Sequence, residues 1–300
     1  MKTSFLSILF LTAVISSAFA QVANELQTAL EQAGAKVRVD DTGNVIAIDA
    51  RNTEITGETL RNLPMMKDLK LMGPQVTDAT VAGLGGFQSL TSLALDRTSV
   101  TDATLIDEIA KLPKLQQLFL AETAVTDAGV AALAKNAGFT RLRLAGTDIT
   151  DESLKVIAGM PKLQSLDLSS TTSITSVGVA QLTACKALTD LNFYNADLVD
   201  GSATAALAEM TWLEKLNLDN IVVSDDDAAK LAPLAENLTF LHLGGTKITD
   251  AAVPTLVKFT KLTTLHVNRT KVTEAGVEEL KKALPGCEVI TVGGEDKPVK

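Results

Sequence analysis

The chain has 300 residues, 46% apolar and 21% charged, with a mean hydropathy of +0.21; this describes an ordered protein with ample core and excludes disorder over nearly all its length. A formal charge of −9, from 27 basic and 36 acidic residues, offers no clustered cation for phosphates, so nucleic acid is not expected as a partner. One Trp, one Tyr and an aromatic share of 4% argue against a large aromatic ligand pocket and leave leucine to carry the interior.

Residues 1–20, MKTSFLSILFLTAVISSAFA, read as a signal peptide: Lys2 is the basic start, Phe5 to Ile15 the apolar stretch, and Ala18-Phe19-Ala20 the small-x-small cleavage site. The stretch is shorter than the roughly 20 apolar residues a membrane span needs, and no later segment qualifies. The mature chain is therefore expected to be exported, periplasmic or extracellular, without membrane insertion after cleavage. Its charge is then −10, because Lys2 leaves with the signal. Gln21 rather than Cys at the new terminus gives no support for a lipid anchor.

Residues 21–44 are expected to form an N-terminal cap. Leu26, Ala29, Leu30 and Ala33 recur at helical spacing with Gly34 as a stop, and Val37 to Val39 can pair with Val45 to Ile48 across Asp41-Thr-Gly-Asn44. A cap is needed because a bare terminal strand invites association.

From Val45 to Val292 one pattern recurs. Leu90-Thr-Ser-Leu93-Ala-Leu95-Asp-Arg-Thr98-Ser-Val100-Thr-Asp102 is repeated by Leu115 to Asp127 and by Leu238 to Asp250. The second residue of each L-x-L pair gives the series Ala50, Leu71, Leu95, Leu120, Leu144, Leu168, Phe193, Leu218, Leu243, Val267 and Val292, spaced by 21 to 25 residues. This predicts ten repeats plus a closing strand, hence a solenoid. The pattern L-x-x-L-x-L-x-x-T-x-(I/V)-T-D-x-G/A resembles the leucine-rich repeat family, in the cysteine-containing-like form with Thr in the ninth place that is found in exported bacterial relatives. The resemblance implies an α/β horseshoe with a parallel concave sheet and convex helices. It implies no active site, because this scaffold serves unrelated binding tasks.

The residues support the same fold on their own. Alternation puts Leu93 and Leu95 on one side of a short strand, and Thr-Asp pairs such as Thr101-Asp102, Thr126-Asp127 and Thr150-Asp151 offer oxygens to the free N–H groups that open a helix. A unit of about 24 residues cannot offset backbone ordering of roughly 1 to 2 kcal/mol per residue, so adjacent turns must share a core. The Thr column (Thr53, Thr98, Thr123, Thr147, Thr171, Thr246, Thr270) is expected to turn its hydroxyls inward onto backbone groups leaving the sheet, with breaks at Pro74, Ala196 and Ile221. One extra residue between Leu168 and Ile174 predicts a small bulge. At the far end Val277, Leu280 and Leu284 mark the buried stripe of a last helix, Pro285-Gly286 ends it, and a strand runs from Cys287 to Val292. Residues 293–300 are expected to be a loose tail.

Cys185 and Cys287 are placed four turns apart, on the order of 20 Å, beyond the ~4.4 to 6.8 Å between Cα atoms that a disulfide needs, so both are expected to be small buried thiols. No phosphate loop, H-E-x-x-H or G-x-S-x-G is present, and Gly83-Leu84-Gly85-Gly86 reads as a turn. Asn237-Leu-Thr239 and Asn268-Arg-Thr270 match the glycosylation sequon and read as chance matches. No cofactor, no metal site and no enzymatic activity are expected.

The residue between the paired leucines faces the concave side. The column runs Asp49, Lys70, Ala94, Phe119, Arg143, Asp167, Asn192, Asn217, His242, His266 and Thr291, so the only two histidines stand side by side. With Tyr194, Asn217, Asp219 and Phe240 they form a candidate binding patch for a protein, peptide or glycan partner. A solvated polar face is the plainer reading. Two further alternatives are a metal-binding or metal-dependent hydrolytic protein using His242 and His266, and a structural envelope protein. Arg97, Phe119, Glu122, Arg141 and Arg143 form a second patch, more basic than the chain as a whole and suited to an acidic partner.

Overall fold

The computed structural model describes residues 25, 27–51, 53, 55, 59 and 65–292. The expected signal peptide, the start of the cap including Leu26, and the tail lie outside them. Eleven strands follow one another in chain order and pair in parallel, from Val45–Ala50 through Gln117–Phe119, Arg141–Arg143, Ser165–Asp167, Asp190–Asn192, Lys215–Asn217, Phe240–His242 and Thr264–His266 to Glu288–Ile290. Lys36–Val39 pairs antiparallel with Val45–Ala50 and completes a sheet of 12 strands among the described residues. Gly34, at φ +97°, turns the preceding helical segment toward that hairpin, with Ala35 N donating to Leu30 O at 2.9 Å.

Alternation decides the core. Leu93, Leu95, Leu118 and Leu120 are fully buried, and their equivalents merge into one cluster from Leu30 to Leu284. Helices such as Asp127–Ala132, Asp151–Ile157 and Asp225–Lys230 cover the convex side, and the last one, Glu274–Ala283, buries Val277 and Leu280. Burying a leucine contributes about 1.5 to 3 kcal/mol, and each turn obtains that gain only from its neighbours.

The Thr column performs as its position requires. Thr98, Thr123, Thr147, Thr171, Thr246 and Thr270 each donate their hydroxyl to the carbonyl three residues back, at 2.6 to 2.8 Å. At two of the breaks the backbone substitutes: Ala196 N donates to Phe193 O at 3.0 Å and Ile221 N to Leu218 O at 3.2 Å.

The Thr-Asp pairs divide their labour. Thr101, Thr126 and Thr150 cap their own helices, accepting from the N–H two residues on. The aspartate reaches to the next turn instead: Asp102 accepts from Thr126 N at 2.8 Å and Thr126 Oγ1 at 2.6 Å, and Asp127 accepts from Thr150 N at 2.9 Å and Thr150 Oγ1 at 2.7 Å. Burial works to raise the Asp127 carboxyl pKa, and the bonds from Ser153 and Thr150 outweigh it and hold it below the ordinary value. This clamp also explains the glycine of T-D-x-G. A Cβ on Gly129 or Gly178 would collide with the carboxylate of Asp102 or Asp151. Where Ser153 takes that place, its backbone N donates to Asp127 at 3.1 Å and its hydroxyl donates as well.

Two expectations at the far end change. The closing strand is Glu288–Ile290, with Ile290 rather than Thr291 opposite His266. Val289, Ile290 and Val292 are apolar on both parities, which leaves the register to packing: Cys287 and Val289 rest on the core, while Val292 is 78% exposed. Cys185 is buried in a core place occupied elsewhere by Leu112 and Met160, and burial raises its thiol pKa to about 11. Cys287 is only partly buried; both cysteines are free.

Candidate functional site

The concave column does two jobs, and the first is structural. Just past each strand the backbone leaves the sheet and an N–H loses its partner. Asn192 Oδ1 accepts from Tyr194 N at 2.9 Å, Asn217 Oδ1 from Asp219 N at 2.9 Å, and His242 Nδ1 from Gly244 N at 3.2 Å. Phe119 cannot accept, and Ala121 N donates to Asp96 of the preceding turn at 2.7 Å. Asn and Asp thus recur in this column because the turn needs an acceptor there.

The second job is to present a surface. The His242 and His266 rings stack at 3.9 Å with planes 16° apart, and the Phe240 ring lies 5.5 Å from His266 and 6.3 Å from His242. Phe240, His266 and Tyr194 are partly exposed. His242 and Asp219 are not: they are 5% and 1% exposed, so these two sequence-predicted contact residues form the floor of the patch. Asp219 accepts from Arg269 Nη2 at 2.6 and 2.8 Å, and His242 Nε2 stands 3.7 Å from Asp219 Oδ2. Because Nδ1 accepts from Gly244, the neutral ring carries its proton on Nε2, toward Asp219. Burial first, then His266 and Arg269, lowers the His242 pKa to about 3.

Two participants escaped the sequence reading. Gly244 lets the floor close, since a Cβ there would meet His242 Cε1 at 2.7 Å and Asn268 Oδ1 at 2.8 Å. Arg269 sits two turns beyond Asp219 at φ 55°. Arg97, Glu122, Ser170, Asn195 and Asn220 share this left-handed conformation in other turns, as do Gly73, Gly146 and Gly245. The recurring Gly and Asn were the available signal for that turn, which swings Arg269 over the sheet edge.

The second patch differs from its expectation. Arg143 pairs with Asp96 at 3.3 Å and Asp167 at 3.0 Å, and Arg97 pairs with Glu122 at 3.0 Å. Arg141 lies over the Phe119 ring at 5.9 Å. Asp96 and Asp167, absent from the expected patch, bring its carboxylates level with its guanidiniums, so it is balanced rather than basic. Burial raises the Asp96 carboxyl pKa against the opposing bond from Ala121 and the charge of Arg143.

The face-to-face imidazoles aim their lone pairs side by side instead of at one point, and Nδ1 of His242 is already engaged. Among the described residues no three His, Cys, Asp or Glu converge.

The family model described as Leucine Rich repeat matches residues 135–158 and 159–182. Two successive turns thus match the leucine-rich repeat model directly. The chain is similar to the internalin InlF from Listeria monocytogenes, with a TM-score of 0.58 and 17% identity over 91% of this chain and 88% of the other. It is similar also to internalin C2 of that organism, at 0.55 and 22% over 90% and 92%. The functional domain of InlJ, which includes a cysteine ladder, gives 0.54 and 19% over 83% of this chain and 54% of that one. At these identities the likeness is one of fold. The search of curated proteins by sequence finds no match.

Proposed function

We propose that this leucine-rich-repeat protein is an exported, non-enzymatic recognition scaffold that binds a protein or peptide, or a glycan, on its concave face around Tyr194, Phe240 and His266. The observation that carries the reading is an aromatic surface laid over a fixed floor: Phe240 and His266 stand partly exposed on the buried stack of His242 and the Asp219–Arg269 pair. Rings held in place by stacking over a buried, paired carboxylate lose little conformational freedom when a partner covers them, which favours recognition. Export rests on residues 1–20, and no helix among the described residues is long and apolar enough to cross a membrane. The test is a quantitative pull-down from the source cell's envelope with the mature chain and with Tyr194→Ala, Phe240→Ala and His266→Ala combined. A specific partner recovered by the first and lost by the second supports the proposal; identical recovery removes the patch from consideration.

A further inference from the structure

We propose a second binding surface, on the flank where the chain leaves the concave sheet, which takes a cationic, aliphatic segment of another protein. In other turns this flank carries small, polar or charged residues: Ser99, Ala124, Asp148, Lys247 and Lys271. Two consecutive turns place Leu198 and Val222 there, 53% and 61% exposed, and Val177 in the turn before is 76% exposed.

The register gathers the three around one carboxylate. Leu198 lies opposite Thr175 and Val222 opposite Asp200. Asp200 follows Leu198 by two residues and accepts from the hydroxyl of Ser176, the residue before Val177, at 2.9 Å. Ser202 adds its backbone N at 2.9 Å and its hydroxyl at 2.6 Å. These neutral donors, the Ser202 hydroxyl foremost, hold the Asp200 carboxyl below its ordinary value, so it is ionised at neutral pH. No Lys or Arg among the described residues forms an ion pair with it. Asp197 and Asp226 are exposed in the same two turns.

A single exposed aliphatic is ordinary, but three on successive turns around a carboxylate without a cation complement a Lys or Arg side chain. The methylenes of such a side chain rest on Leu198 and Val222 while its head meets Asp200. Aliphatic neighbours in the same segment cover the rest, and an acidic segment is repelled.

The probe is an end-blocked Leu-Lys-Leu-Lys-Leu peptide titrated into the mature chain with labelled Leu and Val methyl groups. The methyl signals of Val177, Leu198 and Val222 are expected to shift saturably, and a peptide with Glu for Lys to leave them in place. Asp200→Asn, which keeps an acceptor for the serines, should weaken binding by about fivefold, and Leu198→Ala by about tenfold. Phe240→Ala, which alters the concave face, should leave the affinity for this basic peptide and the shifts at Val177, Leu198 and Val222 as they are, which separates this surface from the concave one. Shifts confined to the concave face, no shift with the basic peptide, or undiminished binding by both flank variants would overturn the proposal.

Discussion

Two regions of the concave sheet, its middle and its C-terminal part, use the same residue types to opposite effect. Around Arg143 the carboxylates of Asp96 and Asp167, 18% and 22% exposed, lie on either side of a half-buried guanidinium, and charge is balanced across the face. Around His266 the carboxylate of Asp219 lies beneath, 1% exposed, and Arg269 reaches down to it, 43% exposed itself. One arrangement leaves its carboxylates partly open to water between the arginine's donors; the other hides the carboxylate completely and leaves rings on top. A surface pair contributes little and screens easily, whereas a buried charge must keep its partner. The C-terminal half of the face is therefore the better candidate for recognition, because its buried carboxylate is already paired underneath the rings.

That contrast can be broken or sharpened by substitution. The largest effect is expected at His242, read through pH. Its pKa of about 3 in the fold, against about 6.5 when unfolded, means that the unfolded chain takes up a proton as pH falls below 6.5 while the folded one does not until near 3. Stability from this group is thus complete above pH 6.5 and is lost as pH falls toward 3, at up to about 1.4 kcal/mol per pH unit. Denaturant midpoints measured at pH 7, 6 and 5 should show the slope, and His242→Asn should remove it while keeping the acceptor that Asn217 supplies one turn earlier. Arg269→Ala is expected to cost about 3 kcal/mol in urea unfolding, since it strips the guanidinium from a buried carboxylate. Arg143→Ala should cost about 1 kcal/mol or less, because Asp96 and Asp167 keep backbone or hydroxyl donors. Arg97→Ala, at an exposed pair, should change stability by less than about 0.5 kcal/mol. Equal costs for Arg269 and Arg143 would erase the distinction between the two regions.

The fold was legible because one period governs the core: the leucine doublets, the Thr hydroxyls and the adjacency of His242 and His266 all follow from register alone. What escaped were properties that depend on a neighbouring turn or on competition between parities. The aspartates that clamp forward across turns, and the glycines that make room for them, cannot be assigned from one repeat. Ile290 faces the groove in place of Thr291 because Val289 outcompetes Val292 for the core. At the site, the column named the residues on the face but not their depth; Asp219 and His242 sink because Gly244 has no side chain and Arg269 arrives from two turns away.

The most direct trial of recognition through the concave rings is site-specific photo-crosslinking in intact cells, with a benzoylphenylalanine placed at Phe240 and, separately, at the partly exposed convex residue Thr183. The account predicts one discrete adduct from position 240 that disappears when Tyr194 and His266 are replaced by alanine, and none from position 183. No adduct at 240, or the same adduct from both positions, would contradict it.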